Sequence, residues 1–424
     1  MTYCDALKLL NQSLNYEAIL RYSYRQALSL GRVHEALACL HNPQHTFTSI
    51  LITGTNGKGS TAYMLEALLR HAGYRIGLYT SPHIDDIRER IRVDGSLVSK
   101  RSFATTIQAV HEQIPKKLFS SLTYFERLTV SALYYFSRQK VAYAVLEVGL
   151  GGRLDATNVV PAAVSVVTPV SFDHEHILGK TLRAIAREKA GIIKRGGRCI
   201  AAAQKKEVAE VLACVAAQRK SALTVLPAAA RLPRGCTRAL PVFQQQNALL
   251  AYRVYETIMS DEGISVSKNK AFAVLRHVRI PGRLERLSIR PVVYADGAHN
   301  ETAIDTVIRT VLAKRGAGKV YLVCGFSRDK NIQRISTVLR RYRLPLVVTQ
   351  AATPRALPAE EFARTYPQPF AIMAAKKTVH EALAFLIKKI RQCDTILIVG
   401  SFYLIADARR AVKKLRITTV RNHT

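Results

Sequence analysis

The chain has 424 residues, 48% of them hydrophobic, with 63 Lys plus Arg against 30 Asp plus Glu and a formal net charge of +33. Such a length and apolar fraction support two packed domains and exclude a disordered or collagen-like chain. The basic excess points first to nucleic acid. However, the charge is spread along the chain, without a zinc-finger, aromatic RNA-binding or dimer-zipper signature. A generally basic surface and a set of wholly anionic substrates are the other readings. The densest stretch, Arg409, Arg410, Lys413, Lys414 and Arg416, has helical spacing and reads as a solvated helix face. Seven scattered cysteines, no two in a CxxC pair, argue against a disulfide scaffold or zinc ribbon and for reduced thiols in the cytoplasm. Asp5 and Glu17, with no long apolar run, exclude a signal peptide, and no stretch reaches the roughly 18 apolar residues of a membrane span.

In chain order, residues 5 to 40 read as helical, with Leu7, Leu10, Leu14, Leu28 and Leu37 at apolar positions, until Asn42-Pro43 interrupts them. Phe47 to Thr53 is a β-like run followed at once by a glycine-rich loop. Met64, Leu65, Leu68, Leu69 and Ala72 then recur at amphipathic-helix spacing, and Gly73 supplies the stop. Ile76 to Thr80, Val141 to Val148 and Ala163 to Val170 read as further strands. Strands alternating with helices predict a parallel sheet with helices on its faces. The pattern restarts near residue 280, with strand-like Val292 to Ala295, Val320 to Cys324, Leu346 to Thr349 and Thr395 to Val399. We expect a P-loop-type α/β ATPase domain over residues 1–282 and a smaller Rossmann-like α/β domain over 283–424, divided at the turn-forming Pro281-Gly282.

The loop Gly54-Thr55-Asn56-Gly57-Lys58-Gly59-Ser60 lies between a strand and a helix. Its glycines let backbone N–H groups turn around phosphate oxygens, the helix N-terminus adds a favourable dipole, and Lys58 is a point charge for terminal phosphates. The loop is shorter than the usual P-loop, and Gly59 separates Lys58 from the hydroxyl of Ser60. Without its context it would read as a glycine-rich strand–helix turn.

The loop's Gly-Lys-Gly-Ser ending resembles the phosphate loop of folylpolyglutamate synthases and dihydrofolate synthases, a branch of the Mur ligase superfamily. Further segments agree in order: Asn42-Pro43-Gln44, Thr80-Ser81-Pro82-His83, Glu89-Arg90-Ile91-Arg92, Leu122 to Glu126, Leu146 to Asn158, Asp173-His174, Glu188 to Ile192, and Asp296-Gly297-Ala298-His299-Asn300. Together they span roughly residues 40 to 405. The resemblance implies an ATP-dependent amide ligase. It would add L-glutamate to 7,8-dihydropteroate and to tetrahydrofolate through an acyl phosphate, as a soluble cytoplasmic monomer with ATP and two Mg²⁺ ions and without nucleic-acid or membrane partners.

Residue by residue, the resemblance places ATP on Thr55, Asn56, Gly57, Lys58, Gly59, Ser60, Asn247, Arg283 and Asp296. It makes Ser81, Glu147, His174 and a carbamylated Lys189 the metal ligands, and Lys58, Glu147, His174, Lys189 and His299 the catalytic group. An oxygen donor at a strand end suits Mg²⁺, whereas a histidine does not, so His174 rests on the resemblance alone. By itself, Asp173-His174-Glu175-His176 would suggest zinc, although adjacent and alternating residues of one segment rarely converge on one ion. Lys189 would otherwise be a surface lysine. Thr123, Tyr124, Phe125, Glu126, Leu154, Asp155, Ala156, Arg90 and Ser401 are the implied substrate contacts. Core packing is the other reading of Tyr124 and Phe125. Phe243 stands where the family usually has histidine, and Asn331 departs from its Asp-Lys-Asp motif. Two alternatives remain at this point: a Mur-type ligase acting on a UDP-sugar peptide, and a nucleic-acid-dependent P-loop ATPase.

Overall fold

The apolar run ending at Thr53 forms the middle of a parallel sheet, and that placement decides where every loop of the first half emerges. The computed structural model describes residues 1–17, 19, 29–232, 240–365 and 372–419. It divides into two units, Met1–Arg279 and Ile280–Thr424.

In the first unit the strands are β1 (Thr48–Thr53), β2 (Ile76–Tyr79), β3 (Ile91–Val93), β4 (Ser96–Leu97), β5 (Tyr143–Glu147), β6 (Val164–Val167), β7 (Arg198–Ala201) and β8 (Ala222–Val225). Their order in the sheet is β4-β3-β2-β5-β1-β6-β7-β8. All pairings are parallel except those of the β3–β4 hairpin at one edge. The interior strands β2, β5 and β6 are buried along their whole length and β1 from its second residue, which explains why they read as unbroken apolar runs rather than alternating ones. The chain leaves β1 towards β2 on one side and later returns to β6 on the other. The C-terminal ends of β5, β1 and β6 therefore lie side by side at a switch point, where ligands bind in open α/β sheets.

The main helices of this unit are α1 (Tyr3–Asn11), α2 (Leu30–Cys39), α3 (Lys58–His71), α4 (Lys100–Gln113), α5 (Tyr124–Arg138), α6 (Leu182–Ala190), α7 (Lys206–Gln218), α8 (Val242–Asp261) and α9 (Lys268–His277). Within the helical reading of residues 5–40, the described residues carry α1 and α2, and residues 12–17 are not helical. Part of that expectation, including Leu28, falls outside the described residues, as does Cys236. Gly73, at φ 95°, follows α3 in the left-handed conformation that ends helices. The amphipathic reading of α3 understates its burial: Ser60, Thr61 and Glu66 are buried along with its leucines. The cause is tertiary, because α8 and α9 pack against α3 in addition to the sheet.

The second unit carries β9 (Glu285–Arg290), β10 (Val292–Asp296), β11 (Val320–Cys324), β12 (Leu346–Val348), β13 (Ile372–Ala375), β14 (Thr395–Val399) and β15 (Thr418–Thr419), ordered β13-β12-β11-β14-β10-β9-β15. β10 to β14 are parallel, and β9 runs antiparallel beside β10. Among its helices are α10 (Glu301–Lys314), α11 (Ile332–Tyr342), α12 (Val379–Ile387) and α13 (Phe402–Lys414). The basic cluster on α13 is mostly a solvated face, with one exception. Arg409 makes a bidentate pair with Glu285, both contacts 2.8 Å, and so ties α13 to β9.

Candidate active site

Behind β1 the chain has almost no freedom. Gly54 has φ 144°, and a Cβ there would lie 1.8 Å from Oγ1 of Thr168, which follows β6. No side chain fits. Thr55 donates its backbone N–H to Pro169 O at 3.0 Å, and its hydroxyl both donates to Ser171 O and accepts from Ser171 N, each at 3.0 Å. Gly57, at φ 91°, is the N-cap of α3. The loop is thereby fastened to the segment after β6 and aimed at a helix N-terminus, whose N–H groups and dipole favour an anion. Lys58 curls back so that Nζ lies 3.3 Å from the carbonyls of both Gly54 and Thr55.

Two further groups meet this loop. Glu147 is the last residue of β5, in register with Ile52, and only 4% exposed. Its Oε2 accepts the backbone N–H of Ser81 at 3.0 Å. A Cβ on Gly59 would lie 3.2 Å from that same oxygen. Glycine after the lysine thus lets the first turn of α3 come close to a buried carboxylate. Lys189, on α6, is not the surface residue its helical context allowed. It is also 4% exposed and donates from Nζ to Gly54 O at 2.7 Å. Burial, followed by the neighbouring charge of Lys58, pushes its ammonium down to about 7, against the opposing pull of Asp173 and Asp155.

His174 lies in the loop after β6 in a left-handed conformation (φ 49°), half-buried, with Nε2 3.9 Å from Asp173 Oδ2. Among the described residues no three His, Cys, Asp or Glu side chains gather as a metal site, so the zinc reading of Asp173 to His176 finds no cluster. Ser81, Glu147 and Lys189 are brought to the loop by the contacts above. His174 is carried by the segment after β6, three residues beyond the Ser171 that fastens Thr55.

The sequence reading missed Gln244. On α8, it donates from Nε2 to Ser60 Oγ at 3.2 Å and accepts from Asn247 Nδ2 at 3.1 Å. A Cβ on Gly57 would meet Asn247 Oδ1 at 2.3 Å. Gln244 and Asn247 therefore close the loop from the α8 side. The only sequence signal was a polar Gln-Gln-Gln-Asn run opening an otherwise apolar helix.

Several expected substrate contacts are engaged in architecture. Thr123 and Glu126 form a reciprocal capping box at the start of α5, and Glu126 also pairs with Arg32 at 2.8 Å. Tyr124 is buried in the core cluster of this unit, while Phe125 is partly exposed and its ring sits where a Cβ on Gly149 would be. Asp155 caps a short 3₁₀ turn begun by Ala156, accepting from Thr157 N, Thr157 Oγ1 and Leu150 N, and burial pushes its carboxyl up. Leu154 packs on the cluster formed by α6 and α7. Arg90 is 1% exposed and holds Glu17 in a bidentate pair at 2.8 and 2.7 Å.

In the second unit Asp296 ends β10. Its oxygens accept Leu284 N at 2.7 Å and Ala298 N at 2.8 Å, and burial pushes its carboxyl up against the pull of Arg283. The Arg283 guanidinium lies 4.6 Å from the ring centroid of Phe402, a cation–π contact, with Nη1 3.9 Å from Asp296 Oδ1. His299 Nδ1 is 2.9 Å from Gly297 O, and facing a carbonyl it is the donor. Ser401, after β14, caps α13 through Tyr403 N at 3.2 Å, and Asn331 caps α11 through Arg334 N at 3.1 Å. Past β11 and β12, Asp329 lies 3.0 Å from Arg355 Nη2 and 3.7 Å from Lys330 Nζ. Arg355 was not singled out from sequence, since a lone Pro-Arg in a loop carries no periodic signal.

Residues 52–226 match the Mur ligase middle domain, and residues 282–402 the Mur ligase glutamate ligase domain. The dihydrofolate synthase/folylpolyglutamate synthase of Bacillus subtilis is 30% identical over 409 residues, covering 91% of this chain and 95% of that one. The protein of the same description from Escherichia coli is 32% identical over 380 residues, covering 85% and 87%. The chain belongs to the dihydrofolate synthase/folylpolyglutamate synthase family. Solved structures of the family agree with its fold. Mycobacterium tuberculosis folylpolyglutamate synthase complexed with ADP and AMPPCP superposes with a TM-score of 0.85 at 28% identity, covering 96% of this chain and 97% of that one. Escherichia coli FolC in complex with DHPP and ADP gives 0.82 at 28%, covering 98% and 99%. The fold is accordingly that of the family, a parallel-sheet ATP-binding domain followed by a smaller α/β domain. Among the described residues no helix is long and apolar enough to cross a membrane.

Proposed function

We propose that this protein is an ATP-dependent ligase that joins L-glutamate to 7,8-dihydropteroate and to reduced folates such as tetrahydrofolate. The observation that carries the reading is the junction of Lys58, Gly59, Glu147 and Lys189 at the end of β1, inside a chain of this family. ATP supplies the activation: phosphoryl transfer to the acceptor carboxylate gives an acyl phosphate, and attack by the amine of glutamate releases phosphate. The N–H groups at the helix N-terminus and Lys58 hold the polyphosphate and neutralise charge that develops on it. Gln244 and Asn247 fix the loop's shape. Arg283, Asp296 and His299 are assigned to the nucleotide by the resemblance, and the cations Lys330 and Arg355, with Ser401, suit the carboxylates of glutamate.

A buried carboxylate with one oxygen held by an N–H is a hard donor that suits Mg²⁺. Glu147 and Ser81 would hold such an ion, with His174 added on resemblance alone. Bound there, it would screen the phosphate charge. An ammonium cannot be such a ligand, but a lysine titrating near 7 is neutral in a substantial fraction at neutral pH and able to add to CO₂, releasing a proton and becoming an anionic carbamate. Lys189 therefore suits a second Mg²⁺ in that form. The same capture of anions gives the basic composition a use, since ATP, glutamate and folate glutamates are all anionic. The expected setting is the cytoplasm, with the protein as a monomer.

The test is ADP release with Mg-ATP and L-glutamate, with and without 7,8-dihydropteroate and then tetrahydrofolate, beside Lys58→Ala. Turnover that needs both glutamate and a pterin acceptor, and falls about 10²–10³-fold in the variant, is expected. Response to both acceptors marks a bifunctional enzyme. Folded protein without acceptor-dependent turnover would overturn the folate reading.

A further inference from the structure

Arg90 reads from sequence as a substrate contact, and in the structure protein groups surround it. Its side chain is 1% exposed and lies 5.8 Å from the ring centroid of Tyr124. Nη1 and Nη2 grip the Glu17 carboxylate, and Nε donates to Nδ1 of His83 at 2.9 Å. An arginine only donates, so His83 Nδ1 accepts. The residue also acts through its backbone: Arg90 O accepts Thr80 N at 3.1 Å. The intervening segment is closed on itself by Glu89, which accepts from the backbone N–H groups of Ile84, Asp85 and Asp86. Thr80 to Arg90 is thus a loop clasped at its base by one residue, twice. Ser81, whose N–H holds Glu147 Oε2, is a member of that loop, next to the clasp and two residues from His83.

We propose that Arg90 is a positioning residue for Glu147. The guanidinium, braced by Glu17 from the N-terminal segment, fixes His83 and with it the Ser81 N–H that orients the carboxylate. The planar fork is essential, because three donors serve two partners in one plane; a lysine ammonium at that position reaches only one of them at a time. Supporting groups of this kind set how well a ligand is presented to its metal, and removing one weakens metal affinity by roughly 10–100-fold. The inference rests on Glu147 being the metal carboxylate.

The test uses the full-length protein and Mn²⁺, titrated in the presence of ADP and followed by the EPR signal of the free ion, beside kcat and the acceptor KM. Arg90→Lys is the principal variant. Glu17→Gln keeps the shape but loses the charge and one of the two accepting oxygens, and serves if the first does not fold. Arg90→Lys is expected to weaken Mn²⁺ binding about tenfold and Glu17→Gln about threefold. In both, kcat falls while the acceptor KM stays within about twofold, a split that mere loss of folded protein does not produce. Glu147→Gln separates the two levels of failure. If it binds Mn²⁺ as tightly as the unsubstituted protein, the metal reading of Glu147 falls and takes this inference with it. If it weakens binding while folded Arg90→Lys and Glu17→Gln do not, only the role of Arg90 is overturned. A raised acceptor KM with unchanged Mn²⁺ binding would return Arg90 to the substrate.

Discussion

In the first unit, two lysine ammonium groups converge on one backbone carbonyl, that of Gly54. In the second, two backbone N–H groups converge on one carboxylate, that of Asp296. Both arrangements sit at the C-terminal end of a parallel strand in an α/β sheet, and their electrostatics are opposite. At β1 the protein brings two lysines together where burial disfavours the charge of Lys189, and Asp173 and Asp155 oppose that shift only in part. At β10 it gives a buried carboxylate two backbone donors and a nearby guanidinium, although burial still raises that carboxyl. Both edges therefore hold a group whose charge burial disfavours, the first beside a like charge and the second among its own donors. Strain of the first kind is what active sites are expected to carry.

Lys189→Met breaks this comparison most directly. In the folded protein Lys189 binds its proton only below about 7, whereas an unfolded lysine holds it to 10.5. Between those values the unfolded state binds more protons, so the native lysine destabilises the fold at neutral pH and ceases to do so as pH rises through the ordinary lysine value. In bicarbonate-free buffer, Lys189→Met should raise unfolding free energy by on the order of 3 kcal/mol at neutral pH, with the gain vanishing in strong alkali. Denaturant titrations at the two pH values check this, and a gain independent of pH would show that the ammonium is not strained. Adding ¹³C-bicarbonate to unsubstituted protein should yield a carbamate carbon resonance that strengthens as pH rises past neutrality and is missing from the variant.

Asp296→Asn tests the other half. The amide turns a donor towards backbone N–H groups, so the second unit should lose about 2–3 kcal/mol of stability, seen as a lowered calorimetric transition. A transition left in place would mean that the carboxylate is not settled by those donors.

Gly59→Ala sharpens the comparison without unfolding anything. Its methyl group displaces Glu147 by a few tenths of an ångström, and kcat should fall roughly tenfold, with more Mg²⁺ needed for half-maximal rate. Unchanged kinetics would show slack between α3 and the carboxylate. The smallest effect is expected from Asn331→Ala, which removes one N-cap at a cost of about 1 kcal/mol in thermal unfolding, with steady-state rates retained.

What could be read before the structure was local. The loop from Gly54 to Ser60 announces itself by glycine spacing beside an apolar run, and Glu147 by its position at the end of another. The long interior strands β1, β5, β11 and β14 were legible because strands buried on both faces are simply apolar. β7 opens on an exposed arginine and β13 is only half-buried throughout, so neither shows the buried apolar run of the strands that were read. Pairings across sequence distance were invisible: Gln244 with Ser60, Arg90 with Glu17, Lys189 with Gly54. Each depends on which helix packs on which strand end, and no window of sequence contains that information. The same limit hides that Arg90 pairs with Glu17 and that Thr123 and Glu126 form a capping box, because a motif records that a residue matters and not which neighbour it meets.

The fit between Gly57 and Asn247 has a consequence for how this protein can change over time. Any side chain at position 57 would collide with an amide supplied from α8, and the backbone there is left-handed besides. Trimming Asn247 alone leaves Gln244 without one of its donors, and enlarging Gly57 alone has no room. Each single step leads downhill, so the two positions are joined on a fitness landscape although they lie far apart in the gene. A search for variants with altered nucleotide preference that samples one codon at a time would find this corner of the loop closed, whereas a library randomising both codons together could cross it.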